Sequence, residues 1–182
     1  MSQPRFIARQ PELDTYCADL AALGLFAFDT EFIRDETFDA TLCLVQVCAA
    51  GEVVLIDPTS GLDIAPFWAL VTDPAVVKIV HSGKEDFEVC LRQSGRPPRN
   101  VFDVQVAAGF VGLGYPLSLA RLILLLLEQR IGKGQTLTDW LRRPLTEEQV
   151  RYAAEDVRYL PVLHERLVRA LGRVGGTAWA AE

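Results

Sequence analysis

Leu25-Phe26-Ala27-Phe28-Asp29-Thr30-Glu31-Phe32 is an apolar run that acquires two carboxylates near its end. Leu25 to Glu31 has strand character, and so do two runs that follow, Leu42 to Ala49 and Val53 to Asp57. Gly51, in Ala50-Gly51-Glu52, marks a tight hairpin between the last two. After Asp57-Pro58 the pattern changes. A helix near Ala65 to Val71 precedes a strand from Val77 to His81 and a helix from Lys84 to about Gln93. A short strand near Val101 and helices near Val104 to Val111 and Leu117 to Gln129 come next. With an opening helix from Glu12 to about Leu23, this order predicts an α/β fold, a mixed sheet with helices packed on its faces. Leu117 to Gln129 is apolar nearly all round, which predicts a helix buried against that sheet.

The chain has 182 residues, half of them apolar and 23% charged, the composition of one compact domain. No repeat or linker divides it, so a single domain is expected over residues 1–174, with a mobile tail at 175–182 beginning Gly175-Gly176-Thr177. The longest apolar stretch, Leu122 to Leu127, is far below the roughly 20 residues of a membrane helix, and the first 15 residues hold no signal core. A cytoplasmic protein without a membrane partner is the expectation. Cys17, Cys43, Cys48 and Cys90 lack metal-ligand spacing and only two histidines are present, so buried reduced thiols are expected rather than a zinc site or disulfides. Phosphate-loop, dinucleotide and serine-hydrolase motifs are missing.

A net charge of −6 argues superficially against a nucleic-acid partner. The charge is segregated, however: residues 1–90 sum to −10 and residues 91–182 to +4. A carboxylate cluster beside an arginine-bearing surface and two independent solvated faces are both compatible with that split.

Residues two apart on a strand share a face, so Asp29 and Glu31 present adjacent carboxylates. Two like charges ending an apolar strand cost stability unless a cation or a proton is supplied. Asp86, in His81-Ser82-Gly83-Lys84-Glu85-Asp86, falls where Gly83 permits a turn from strand to helix; a first-turn acid also simply complements the helix dipole. In Tyr152-Ala153-Ala154-Glu155-Asp156 the tyrosine and the aspartate lie four apart on one face of a helix that Thr146 caps. Pro161 should bend that helix just beyond the acid.

In this order, the three segments resemble the three motifs of the ribonuclease D-like catalytic domains, the tyrosine-type DEDD 3′-to-5′ exonucleases. Thr138-Asp139-Trp140-Leu141-Arg142-Arg143-Pro144-Leu145-Thr146 resembles the family's segment before the third motif. The resemblance runs from Phe28 to Leu160 and implies a ribonuclease H-like mixed sheet flanked by helices. It implies that Asp29, Glu31, Asp86 and Asp156 hold two divalent cations, Mg²⁺ or Mn²⁺, as all-oxygen ligands suit hard ions. By the same resemblance Asp29 bridges both ions, Glu31 and Asp156 complete one shell, and Asp86 serves the other, partly through water. Tyr152 then orients or deprotonates an attacking water, and a nucleoside 5′-monophosphate leaves the RNA 3′ end.

Phe32, His81, Lys133 and Gln135 are the candidate substrate-binding residues. Phe32 is placed to press on a terminal base, and Lys133 and Gln135 in Gly132-Lys133-Gly134-Gln135 to touch phosphate or sugar. Each has an ordinary alternative as core, loop charge or hydrogen-bonded strand end. Arg142, Arg143 and Arg151 are candidates to line the strand's approach. Single-stranded DNA as substrate, or a silent nucleic-acid-binding module on the same fold, are the competing readings. Ribonuclease D continues into helical modules that help hold RNA; dimerisation is an alternative device, but no interface is legible in the sequence.

Overall fold

The computed structural model describes residues 3–34, 40–132 and 138–173. Strand β1, Arg5–Ile7, precedes helix α1, Gln10–Leu23, and strands β2, Leu25–Arg34, β3, Ala40–Ala49, and β4, Glu52–Ile56. Helix α2, Ala65–Val71, leads to β5, Val77–Val80, α3, Lys84–Ser94, and β6, Val101–Asp103. Four helices finish the fold: α4, Val104–Phe110; α5, Leu119–Leu127; α6, Glu147–Arg158; and α7, Leu160–Arg173.

The six strands form one mixed sheet in the order β1-β4-β3-β2-β5-β6. β2, β3 and β4 form an antiparallel meander with the hairpin at Gly51 as expected, whereas β5 adds in parallel to β2 and β6 in parallel to β5. The β3–β4 turn needs positive φ at both central residues, Ala50 and Gly51, the geometry that follows the twist of a two-residue hairpin. β1, a three-residue edge strand parallel to β4, carries too short a pattern to be read in advance.

Alternation along β2 divides the core. Phe26 and Phe28 pack with Phe67, Trp68 and the other buried residues of α1 to α3 on one face. Ala27, Leu44, Leu55 and Ile79 pack beneath α4, α6 and α7 on the other. All four cysteines are buried and free. Among the described residues no helix is long and apolar enough to cross a membrane.

Helix α5 departs from expectation. It packs chiefly on α4 and α7 rather than on the sheet, only Leu122 and Ile123 are fully buried, and Leu125 is 40% exposed. The reason is occupancy: α6 and α7 already cover that face of β2 and β3. Ser118 caps its start and Glu128, in a left-handed conformation, ends it. The tail at 175–182 lies outside the described residues, as do Lys133 and Gln135.

Candidate active site

Asp29 and Glu31 project from β2 toward α6, on the face opposite Phe28 and Thr30. Beyond Glu31 the register slips, pairing Glu31 with Leu44 and Phe32 with Leu42, so Cys43 is the extra residue of a bulge on β3. That bulge sits beside the second carboxylate and distorts the ladder there, and β2 runs on to Arg34 instead of ending at Glu31 as its sequence suggests.

The third acid comes from α6. Thr146 and Gln149 form a reciprocal capping box that fixes the first turn, and Gln149 also bonds Thr138 and the Asp139 carbonyl. Two turns later Tyr152 and Asp156 face β2, and the Tyr152 hydroxyl donates to the Asp156 carboxylate. The helix stops at Arg158, and Pro161 falls in the first turn of α7, so the bend expected just after the acid is a break into two helices.

One oxygen from each of Asp29, Glu31 and Asp156 lies within 4.8 Å of the others. Asp86 falls outside this 4.8 Å group, yet its charge is near enough to raise both Asp29 and Glu31. It reaches β2 from α3, on the other side of the sheet, where the Thr30 hydroxyl donates to it at 2.5 Å. Alternating residues of one strand therefore serve both groups: Asp29 and Glu31 supply the triad, and Thr30 between them holds the fourth acid.

The turn before Asp86 is more constrained than its sequence suggests. Gly83 has an ordinary φ of −71°, and Ser82 instead takes the left-handed conformation. Glycine is required at 83 for space, since a β-carbon there would lie 2.8 Å from Val80 Cγ2 and 2.9 Å from the Phe87 ring. The carboxylate of Asp103 accepts from the backbone N–H groups of Ser82 and Gly83, and from Gln105 while capping α4. Neither Asp103 nor Thr30 announces this role in sequence, because both contacts are long-range.

Crowded acids with little solvent retain protons. Burial, followed by the charges of Asp86, Asp156 and Glu31, holds the Asp29 carboxyl well above its usual value. Burial with Asp156 and Asp86 pushes Glu31 to about 8. Burial pushes Asp156 to about 7 against the Tyr152 hydrogen bond, and Asp86 to about 6 against the Thr30 hydroxyl. Burial and the same carboxylates raise the Tyr152 phenol.

A cleft of about 230 Å³ opens on two acids of the triad, lined by Asp29, His81, Leu119, Tyr152, Asp156 and Leu160. His81 lies just past β5, and its Nε2 donates to the Leu117 carbonyl at 2.8 Å, as does Gln105 Nε2 at 2.9 Å. The ring thus lines the cleft while tethering the segment that delivers Leu119. Phe32 is half-buried on the other face of β2, against the α1-to-α3 core. Arg143 is not free to line an approach. Its guanidinium grips the Asp57 carboxylate with two bonds of 2.6 and 2.7 Å and also donates to the Cys43, Trp140 and Arg142 carbonyls.

The donor set fits a hard divalent cation. It consists only of carboxylate oxygens, and among the described residues Asp156 Oδ2 is buried without a hydrogen-bond partner.

A sheet of this order, with carboxylates gathered on a central strand and the helix that covers it, is a ribonuclease H-like domain, the fold shared with solved exonuclease domains. The chain belongs to the 3′-5′ exonuclease family, which it matches over residues 4–172. It is 38% identical to ribonuclease D of Shewanella sp. (strain ANA-3) across 98% of this chain and 46% of that protein. The crystal structure of Escherichia coli RNase D, described as an exoribonuclease involved in structured RNA processing, superposes with a TM-score of 0.91 at 34% identity, covering 99% of this chain and 48% of that one. Brucella melitensis NrnC with bound Mg²⁺ superposes with a TM-score of 0.78 at 25% identity, over 99% of this chain and 87% of that one. The chain spans about half the length of the curated ribonuclease D relatives it matches.

Proposed function

We propose that this domain is a metal-dependent 3′-to-5′ exoribonuclease that removes nucleoside 5′-monophosphates from RNA ends. The observation that carries the reading is the convergence of Asp29, Glu31 and Asp156 oxygens within 4.8 Å, beside Tyr152 and across β2 from Asp86. Family membership and the likeness to RNase D supply the reaction class, and the Mg²⁺ held by the Brucella relative supports the choice of ion. Asp29, Glu31 and Asp156 would hold one of two Mg²⁺ or Mn²⁺ ions, and Asp86 with Asp29 the other. Bound there, the pair supplies an activated water and charge neutralisation at the scissile phosphate.

The chain's own groups define the remainder. Four carboxylates repel one another, so the cation-free cluster stores protons that binding must release. Tyr152, a phenol raised by burial and neighbouring carboxylates, is anchored to Asp156 and so placed to orient or deprotonate a nucleophile. Leu119 and Leu160 give the cleft an apolar wall against which a terminal nucleoside fits. His81 would contact the substrate at the margin of that wall and Phe32 from the α1-to-α3 side of β2, with Lys133 and Gln135 at phosphate or sugar.

The test is a time course on 3′- and 5′-labelled single-stranded RNA with Mg²⁺ or chelator, for wild type and Asp156→Asn. Stepwise shortening from the 3′ end, abolished by chelation and lowered at least about 100-fold by the substitution, is the expected result. Faster cleavage of matched DNA would transfer the activity to DNA, since discrimination rests on the 2′-hydroxyl. Binding without mononucleotide release would leave a silent binding module.

A further inference from the structure

Directly across the β2–β3 ladder from Asp29 stands Gln46. Facing residues of an antiparallel pair project to the same side with β-carbons about 4.5–5.5 Å apart, so Gln46 lies beside Asp29 on the face covered by α6. Its side chain is 0% exposed, and among the described residues neither Oε1 nor Nε2 has a hydrogen-bond partner. Its neighbours on this face are apolar: Leu44 and Cys48 along β3, and Leu55 opposite it on β4. A carboxamide so placed loses the hydrogen bonds that water would supply, a cost that an aliphatic side chain of similar volume would avoid. A residue that breaks the packing rule at the wall of a site points to that site.

The chemistry is specific. A carboxylate that serves as a cation ligand has lone pairs left over, which need a donor. Lysine or arginine would supply one but would compete with the cation, and glutamate would add a further negative charge to a cluster already rich in them. A neutral amide donates without either effect.

We propose that Gln46 is a positioning residue of the metal site: its side-chain amide, unpartnered beside Asp29 in this structure, would donate to the Asp29 carboxylate when a cation is bound and fix the orientation in which Asp29 serves as a ligand. The inference rests on the cation-binding reading above. Gln46 itself touches neither substrate nor cation; it acts through Asp29.

The test uses Gln46→Leu and Gln46→Met, which keep the volume and remove the unmade polar groups. Three readouts are taken: Tm in chelator, Mn²⁺ affinity by titration calorimetry, and the kcat and KM for labelled RNA. The expected result is a Tm in chelator equal to or above wild type, with Mn²⁺ affinity about tenfold or more weaker and kcat lowered at unchanged KM. Unchanged Mn²⁺ affinity in both variants overturns the proposal, and so does a parallel fall of affinity and Tm, the mark of a packing role. Should neither variant fold, the ¹⁵N side-chain amide resonances of Gln46 in wild type decide: a shift with slowed exchange on adding Mg²⁺ is expected, and no response overturns it. A wild type that binds Mn²⁺ no better than Asp156→Asn would instead sink the cation-binding reading itself.

Discussion

Thr30 lies between two acids and serves a third. Its neighbours Asp29 and Glu31 point toward α6, while its own hydroxyl crosses to Asp86 on the opposite side of the sheet. A hydrogen bond to an ionised group contributes about 1.5–3 kcal/mol, and that bond opposes the burial that pushes Asp86 upward. Thr30→Val keeps the β-branched shape and removes only the donor. We expect a kcat about tenfold lower and an Asp86 carboxyl that titrates higher, read by ¹³C NMR of the side-chain carboxyl in chelator, with Thr30→Ser restoring both. Unaltered titration in Thr30→Val would mean that the hydroxyl does not hold the acid. The contrast between Thr30 and its neighbours also shows what sequence could reveal. Asp29 with Glu31, and Tyr152 with Asp156, are paired by the local periods of strand and helix, so their facing is readable from spacing. Thr30 with Asp86, Asp103 with Ser82, and Gln46 with Asp29 meet only through tertiary register, and nothing local marks them.

The segment leading into α6 is held by Arg143 as well as by Gln149. Burial alone would raise the Asp57 carboxyl, but the Arg143 and Thr59 bonds outweigh it and keep it below the usual carboxylate value. Arg143 at the same time donates to the carbonyl of Cys43, the bulge residue beside Glu31, and to that of Trp140, whose ring centroid lies 6.1 Å from that of Tyr152. One guanidinium thus ties the end of β4, the bulge of β3 and the packing of Tyr152 together. Lysine keeps the charge but cannot reproduce the fork. Arg143→Lys should cost about 1–2 kcal/mol in denaturant unfolding and lower kcat several-fold, with Mn²⁺ affinity preserved. A stability loss with unchanged kcat would confine the clamp to the fold. The arginine-rich half of the chain suggested a basic approach surface; the structure instead spends Arg143 internally, a use that depends on the distant Asp57. Helix α5 misleads similarly: six apolar residues in a row read as deep core, yet two other helices had already taken the sheet face.

At the scale of the molecule, the cluster links stability to pH and to cation. Asp86, Asp156, Glu31 and Asp29 all have folded-state values above the ~4 of an unfolded carboxyl. Between about pH 4 and the folded values the native chain therefore binds more protons than the unfolded chain, and stability falls as pH rises through that window. Glu31 ionises near 8, so the loss continues at least to that pH. His164 works in the opposite sense, because burial lowers its value and the unfolded chain takes up the proton first. Comparing chelated with Mg²⁺-loaded protein cancels His164, whose ring packs on Phe102 rather than on the acid triad. A cation replaces the protons, so Mg²⁺ should raise Tm little at pH 5 and by about 5 °C or more at pH 8. Differential scanning calorimetry across that range checks it. A Mg²⁺ increment that is flat or shrinks with pH would show that protons and cation do not compete for the same oxygens, and that the acids gathered under α6 do not form the binding site.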